Sequence, residues 1–232
     1  MPNSSENLLR RITSYLLLNY FYLPSNDLMT GRMGGVLYFK HYARYSSERF
    51  YDDFADSILE SLFGNLKDDM PVGFHKGYCG TGWAVEYLIK NGMAEGNTDE
   101  ILGNIDKKIM ERDPKYISDM SFETGLSGIV YYIVCRMKSF DRKGDPMPFD
   151  RLYLDDISGI VNSPEFANYG DFCAGLTEEF NACVRGEADY TSKLTIPPFL
   201  LDDLPANFES FGNIPIGIYK GLTGVALKMI GV

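Results

Sequence analysis

The amino-acid sequence predicts an all-α protein, folded as an incomplete α/α toroid of about five helical hairpins. A Gly-x-x-Gly segment recurs before an apolar run, and no segment shows the two-residue alternation of a strand. The clear copies begin at Gly31, Gly77, Gly125 and Gly221. Their spacings are 46, 48 and 96 residues, and because 96 is twice 48 we expect a degenerate copy at Gly175. A period of this length is typical of helical repeat arrays.

Each repeat predicts two helices. An inner helix follows the glycines and is apolar over most of its circumference, so we expect it to be buried on both sides. The inner helices are predicted at residues 33–44, 80–90, 126–137, 174–185 and 222–230. More polar outer helices are predicted at residues 7–18, 48–66, 98–111, 151–161 and 200–208. Alternating layers of this kind curve into a ring or an arc, so residues 1–232 are predicted to form a single domain.

Composition and charge narrow the possible functions. With 232 residues and 45% hydrophobic residues, the chain can bury a sizeable core. A net charge of −10 argues against binding to nucleic acid or to an anionic membrane, since both usually require a basic face. Four cysteines without a Cys-x-x-Cys pair are typical of reduced thiols, which predicts a cytoplasmic protein.

The N-terminal segment superficially resembles a short signal peptide. Arg10 and Arg11 precede an apolar run at residues 15–23. However, Asn19 interrupts this run, and no small-residue cleavage site follows it. The segment is therefore interpreted as an ordinary amphipathic helix.

The repeated glycines leave two interpretations open. Glycine in the first turn of a tightly packed helix allows a neighbouring backbone to approach closely. The start of a helix also carries backbone N–H groups without intrahelical partners, which favour anionic ligands. The glycines therefore serve packing alone, or they frame a ligand site where the inner helices begin.

Three stretches of the chain resemble the lanthionine synthetase C-like family, and its bacterial branch in particular. They are GRMGGVLYFKHYARY from residue 31, YDDFADSILESL from residue 51 and GTGWAVEYLIKNG from residue 80. The resemblance covers nearly the whole chain and implies an α/α toroid, although this chain has fewer hairpins than the family. The well-known members are zinc enzymes that add a cysteine thiol to a dehydrated serine or threonine of a peptide, which forms a thioether ring.

The resemblance also implies where zinc ligands would lie. The family's Trp-Cys-x-Gly motif corresponds to Phe172-Cys173-Ala174-Gly175, and its Cys-His-Gly motif corresponds to Tyr219-Lys220-Gly221. Cys173 is thus the only retained ligand position. A catalytic zinc ion needs three protein ligands, and Lys220 would repel the metal. The sequence therefore predicts no zinc and no other cofactor.

The remaining candidates for chemistry are few. The family's acid–base histidine corresponds to Thr124, and of the two histidines His41 is expected to be structural. His75, two residues before Gly77, is the histidine considered for catalysis. A diverged, metal-free cyclase that uses His75 with the lysines is one alternative function.

The residues next to the glycines suggest a cationic site instead of a metal. Lys76 and Lys220 directly precede a repeat glycine, where the helix dipole favours anions. This predicts a pocket for a carboxylate or phosphate of a peptide or small ligand, unless the lysines are simply solvated. The ligand-binding candidates are Lys76, Lys220, Tyr219, Cys173, Thr124 and Arg32.

A glycan-processing toroid is a further alternative. Such an enzyme needs two carboxyl groups about 5–10 Å apart across a groove. The candidates are Glu178, which lies early in an inner helix, and Glu123, which precedes Thr124-Gly125 where the inner helix begins. Adjacent acidic pairs such as Asp52-Asp53 are interpreted as solvated faces.

The leading prediction is a zinc-free pseudoenzyme that binds a peptide or small anion in peptide modification. Because an incomplete ring leaves inner helices uncovered at its ends, a homodimer is also plausible.

Overall fold

The computed structural model describes residues 4–63, 70–139, 147–201, 203 and 210–232, and within these ranges it contains no strand. The predicted all-α class is confirmed. The described helices are α1 (Ser4–Asn19), α2 (Arg32–Ser46), α3 (Arg49–Phe63), α4 (Tyr78–Lys90), α5 (Thr98–Met110), α6 (Leu126–Ser139), α7 (Arg151–Val161), α8 (Pro164–Ala167), α9 (Asp171–Arg185) and α10 (Leu222–Met229).

Most predicted helices are present, with small shifts at their ends. The short helix α8 was not predicted, and α9 begins three residues before the predicted start at residue 174. The outer helix predicted at residues 200–208 is not found where the chain is described, because Leu200 ends a short 3₁₀ turn. The rest of that segment, apart from residues 201 and 203, lies outside the described residues, as do residues 64–66 of the second predicted outer helix.

The chain divides into two compact units. The first unit comprises Met1–Asp69 and Thr195–Val232, and the second comprises Met70–Leu194. In the first, α2 packs against α3, and α10 packs against α1 and α2. In the second, α6 packs against α4 and α9, and α4 packs against α5. The ring arrangement and the single-domain organisation stay predictions.

Four helices begin under a loop of the same construction, which we call a wrap loop. In each, the carbonyl oxygen seven residues upstream accepts a hydrogen bond from the N–H of the first helical residue. The pairs are Ser25–Arg32 at 3.0 Å, Pro71–Tyr78 at 2.9 Å, Asp119–Leu126 at 2.8 Å and Pro215–Leu222 at 2.8 Å. The loop thus satisfies a backbone donor that has no partner within the helix.

The first glycine of each copy makes room for this loop. A Cβ atom on Gly77 would lie 2.0 Å from the carbonyl oxygen of Pro71, and one on Gly125 would lie 2.2 Å from that of Asp119. Gly31 and Gly221 are crowded in the same way, at 2.6 Å and 2.2 Å from loop carbonyl oxygens. No side chain larger than hydrogen fits at such distances, so the packing interpretation of the first glycine is confirmed.

The second glycine makes room for another carbonyl of the same loop, three residues after the one that accepts the first helical N–H. A Cβ on Gly34, Gly128 or Gly224 would lie 2.6, 2.1 and 2.3 Å from a loop carbonyl oxygen. The Gly-x-x-Gly spacing therefore places two adjacent clefts on the helix surface, and the wrap loop occupies both.

The degenerate fifth copy differs from this pattern. Nothing lies within 4 Å of a Cβ built on Gly175, which sits inside α9 and not at its start. The helix begins instead after Gly170. The expectation that Gly175 continues the repeat register was wrong in this respect, because no wrap loop covers it. The prediction that this inner helix is buried all round was also wrong, since Glu178, Glu179 and Val184 are exposed.

A buried cation ties an inner helix to an outer helix in each unit. In the first unit, the ammonium of Lys40 on α2 lies 2.9 Å from Asp52 and 2.7 Å from Asp56 on α3, and Lys40 is only 3% exposed. Asp52 thus pairs with a buried cation while 44% of its side chain stays exposed, and its neighbour Asp53 is exposed as the solvated-face interpretation expects. A buried charge of this kind requires such partners, because desolvation without them is costly.

In the second unit the buried cation is Arg136 on α6. It lies 2.9 Å from Glu86 on α4, and 2.6 Å and 3.1 Å from Asp99 and Asp106 on α5. The hydroxyl of Tyr132 also donates to Asp106 at 2.6 Å. Three carboxyl groups around one guanidinium leave an excess of negative charge, and burial raises the pKa of Glu86 to about 7 although Arg136 opposes the shift.

We expect Gly125→Ala to lower the free energy of unfolding by about 1–3 kcal/mol, because the new methyl group overlaps the Asp119 carbonyl. Gly159→Ala in α7 is the matched control. Nothing lies within 4 Å of its Cβ, so the substitution should stabilise the helix by about 0.5–1 kcal/mol. Urea denaturation followed by circular dichroism measures both. Equal effects of the two substitutions would contradict the wrap-loop explanation.

We also expect the stability of the protein to depend on Glu86 between about pH 4.5 and pH 7. In this window the folded state keeps a proton on Glu86 that the unfolded chain has lost, so stability falls as pH rises and then levels off above pH 7. Glu86→Gln mimics the protonated form. The variant should match the parent near pH 5 and exceed its free energy of unfolding by about 1–3 kcal/mol near pH 8.

Denaturation profiles of the parent, Glu86→Gln and the exposed-site control Glu100→Gln at pH 5, 6, 7 and 8 test this. If the profiles of the parent and Glu86→Gln run parallel, then Glu86 does not titrate in this range.

Candidate functional site

The wrap loops fall into two chemical types. Two carry lysine directly before the first glycine, and we call residues 71–77 and 215–221 the lysine loops. The other two carry threonine at that position, and we call residues 25–31 and 119–125 the threonine loops. Each unit contains one loop of each type.

The two loops of a unit are joined by the same backbone hydrogen bond. In the second unit, the N–H of His75 donates to the carbonyl of Glu123 at 2.9 Å. In the first unit, the N–H of Tyr219 donates to the carbonyl of Met29 at 3.1 Å. In both units the donor directly precedes the lysine and the acceptor directly precedes the threonine, so the two units repeat one arrangement.

A third glycine allows this close pairing. A Cβ on Gly73 would lie 2.9 Å from the Cα of Thr124, and a Cβ on Gly217 would lie 2.7 Å from the Cα of Thr30. The glycine occupies the same place in both lysine loops, three residues before the lysine. Each lysine is therefore held at a fixed position beside a threonine loop.

The threonine loops contain an anion supplied by the chain itself. The buried carboxylate of Asp27 accepts hydrogen bonds from the backbone N–H of Thr30 at 2.6 Å and from its hydroxyl at 3.0 Å. Asp119 accepts from the hydroxyl of Thr124 at 2.6 Å and from the N–H of Ser121 at 2.8 Å. Both bonds lower the pKa of Asp119, and the bond from Thr124 contributes most. The Thr124 hydroxyl, a predicted ligand contact, is thus engaged by Asp119.

The lysine loops contain no such carboxylate. Proline and glycine occupy the places that correspond to the aspartates, in the sequences Pro71-Val72-Gly73 and Pro215-Ile216-Gly217. Lys76 and Lys220 are both exposed, and the ammonium of Lys220 lies 5.0 Å from the ring centroid of Tyr219. The threonine loops thus place an anion of the chain at the helix start, whereas the lysine loops place a solvent-exposed cation there.

An aromatic cluster lies behind the loop pair of the second unit. It consists of Phe74, Phe122, Tyr131 and Phe172. The ring of Phe122 lies 4.5 Å from that of Phe74, 5.5 Å from that of Tyr131 and 5.4 Å from that of Phe172, measured between centroids. Phe172 at the start of α9 is 38% exposed, so the cluster reaches the surface.

This cluster was not predicted from the sequence, although the sequence contains a signal for part of it. An apolar residue stands three positions before the first glycine of every clear copy: Leu28, Phe74, Phe122 and Ile218. All four are buried. Only in the second unit are both of these residues aromatic.

The other residues predicted for catalysis or structure differ in how exposed they are to solvent. His75 is 7% exposed, and its ring lies 6.5 Å from that of Phe122. Glu123 is exposed in the threonine loop, whereas the exposed Glu178 lies on α9. His41 is half-buried on α2, where burial and then the nearby Arg44 lower its pKa to about 4, and its structural role stays a prediction.

The side chain of Arg32 is held by hydrogen bonds within the first unit. Its guanidinium donates to the side-chain oxygen of Asn26 at 2.9 and 2.5 Å and to the hydroxyl of Ser61 at 3.2 Å. These bonds connect the start of α2 with a threonine loop and with α3.

The residues do not fit a zinc site. Cys173 is 2% exposed, and burial raises the pKa of its thiol, with the Ser127 hydroxyl acting in the opposite direction. A cysteine must be a thiolate to ligate zinc. Within the described part of the chain, no group of three or more His, Cys, Asp or Glu side chains is arranged to hold a metal ion.

Comparison with known families supports the assignment made from the motifs. Residues 24–165, more than half of the chain, match the family described as lanthionine synthetase C-like protein. The chain therefore belongs to the lanthionine synthetase C-like family. No curated protein and no solved structure gives a significant match. The matched range ends before Cys173 and Tyr219, so the assignment of these two positions to zinc ligands rests on the repeat register.

No helix among the described residues is long and apolar enough to cross a membrane.

We expect the purified protein to contain less than about 0.1 zinc ion per chain, because a lone protonated thiol cannot replace a three-ligand site. Elemental analysis after incubation with zinc and dialysis measures this. Cys173→Ser should leave the metal content and the folded state unchanged. Stoichiometric zinc in the parent that is lost in Cys173→Ser would show that the donor set has been misjudged.

Proposed function

We propose that this chain is a zinc-independent member of its family that binds an acidic peptide or a small anionic ligand at its lysine loops. The observation that supports this most directly is a difference in charge between the two loop types. Where the threonine loops place an aspartate of the chain at a helix start, the lysine loops place an exposed ammonium group. The ligand would place a negative charge beside these exposed ammonium groups.

The lysines must provide most of the recognition of charge. The first helical N–H groups of α4 and α10 already donate to loop carbonyls, so they are not available to a ligand. The helix dipoles of α4 and α10 still favour an anion near Lys76 and Lys220. An exposed charge contact of this kind is weak and sensitive to salt.

The aromatic cluster extends the proposed site toward a peptide. Phe172 exposes part of its ring beside Phe122, and Phe122 directly precedes Glu123 of the loop that pairs with the Lys76 loop. An apolar side chain of a peptide can pack on Phe172 while a neighbouring carboxylate reaches Lys76. Partly exposed aromatic residues next to a cation are common anchors in peptide recognition.

A catalytic role has less support. A general acid or base must reach its substrate, and His75 is almost completely buried. Glu123 and Glu178 are both exposed and lie on separate elements, Glu123 in a threonine loop and Glu178 on α9. In the proposed role the protein is a pseudoenzyme of peptide modification in the bacterial cytoplasm, able to act as a homodimer.

Binding to a fluorescein-labelled peptide of twelve residues, rich in Glu with interspersed Leu and Phe, tests the proposal. Fluorescence anisotropy at 20 and 150 mM salt gives the affinity. We expect Lys76→Gln and Lys220→Gln each to weaken binding about two- to fivefold at low salt, because each removes one exposed charge contact. Phe172→Ser should weaken binding by about fivefold or more at both salt concentrations, because it removes an apolar contact.

Two controls make the result specific. Lys107→Gln, an exposed lysine on α5, should leave the affinity unchanged. A peptide with Gln in place of Glu should bind equally to the parent and to the lysine variants. The proposal is wrong if the double variant Lys76→Gln, Lys220→Gln binds the acidic peptide as tightly as the parent does.

A further inference from the structure

The opposite end of α2 carries a separate cavity in the first unit. Its volume is about 650 Å³, within the range of small-molecule sites. The cavity lies between α1, the last turn of α2 and the first turn of α3. Three tyrosines provide its aromatic lining: Tyr42, Tyr45 and Tyr51. We call this cavity the tyrosine pocket.

The tyrosine rings form a corner with two walls. The rings of Tyr42 and Tyr45 lie 5.9 Å apart and are inclined by 29°, so they form one wall. The ring of Tyr51 stands at 86° to that of Tyr42, with centroids 4.7 Å apart, and forms the second wall. Tyr45 is 53% exposed, which leaves an aromatic surface open to a ligand.

The charges around the pocket favour a cation. Glu6 and Glu48 line it, together with a single basic residue, Arg10. Arg10 is bound to Glu6 at 2.9 Å, so its charge is matched within the pocket wall. Glu48 adds a further negative charge. The pKa of Tyr51 is raised by burial first, then by Tyr42 and Glu48. The C-terminal end of α2 contributes a negative partial charge at the same place.

We propose that the tyrosine pocket binds an organic cation, an ammonium or guanidinium group with its attached carbon chain. Aromatic faces attract such groups through the ring quadrupole, and a nearby carboxylate adds charge complementarity. This site is independent of the lysine loops, which belong to the other end of the helices and attract the opposite charge. The cation belongs to a free amine or to a side chain of a basic peptide, and both present the same chemistry.

Choline is the first probe, and 3,3-dimethyl-1-butanol is its uncharged isostere. We expect choline to bind with a dissociation constant on the order of 1 mM and the isostere to bind at least tenfold more weakly. Saturation-transfer NMR titrations measure both. Chemical shift changes of backbone amides at Tyr45, Ser46 and Glu48 locate the site. Equal binding of choline and the isostere would overturn the proposal.

Variants at exposed positions test the role of each wall without disturbing the core. Tyr45→Leu should weaken choline binding at least threefold, whereas Tyr45→Phe should retain it, because phenylalanine keeps the aromatic face. Glu48→Gln should weaken the binding of choline but not that of the isostere. Tyr116→Leu, at a tyrosine that is 86% exposed in the second unit, is the matched control and should have no effect. Unchanged choline affinity in Tyr45→Leu would contradict the assignment.

Two further probes separate the sources of the cation. Agmatine represents a free amine, and an acetylated and amidated hexapeptide with one central arginine represents a peptide side chain. Tighter binding of agmatine indicates a small-molecule site, and tighter binding of the hexapeptide by tenfold or more indicates a peptide site. Failure of both probes and of choline would rule out an organic-cation site. Lys76→Gln and Lys220→Gln should not alter any of these affinities, which keeps this test distinct from that of the lysine loops.

Discussion

The packing of a backbone carbonyl against the Cα of a glycine is the contact on which the rest of this structure depends. It recurs at the start of α2, α4, α6 and α10. In each case the loop comes closer to the helix than any Cβ atom would allow. A carbonyl of the same loop accepts the hydrogen bond of the first helical N–H, so one segment both covers the helix start and completes its hydrogen bonding. The residue before the glycine is thereby fixed, whatever its side chain.

The shared loop frame accommodates different chemistry from loop to loop, and of the four residues before the first glycine Lys220 alone takes a positive φ, of 49°. Threonine with an upstream aspartate gives a closed helix start, in which the charge favoured by the dipole is already provided by the chain. Lysine with proline and glycine upstream leaves the loop without such a carboxylate and places an exposed cation at the helix start. The family resemblance places metal ligands in the same kind of position in other members. A change of two or three residues thus alters the charge at a helix start while the loop frame is kept.

The buried cations give the two units a second common feature. Lys40 reaches two carboxylates of α3, and Arg136 reaches two of α5 and one of α4. In both cases a charged side chain on an apolar inner helix selects the outer helix beside it, because an unpaired charge at such a position would be strongly destabilising. Hydrophobic packing is less selective, since many apolar faces fit one another about equally well. These ion pairs therefore help to specify which helices become neighbours.

The sequence by itself determined the helical class, the positions of the clear repeats and the family. These depend on local signals, such as glycine spacing and apolar periodicity, that each segment carries alone. It also pointed to Lys76 and Lys220, because they stand next to a recognisable glycine. It could not show that Gly175 lies inside a helix, that Asp52 and Asp119 have buried or internal partners, or that Phe122 joins Phe172 in one cluster. Those features were decided only by the tertiary structure, because they depend on contacts between segments far apart in the chain, and such contacts leave no periodic signal in a single sequence.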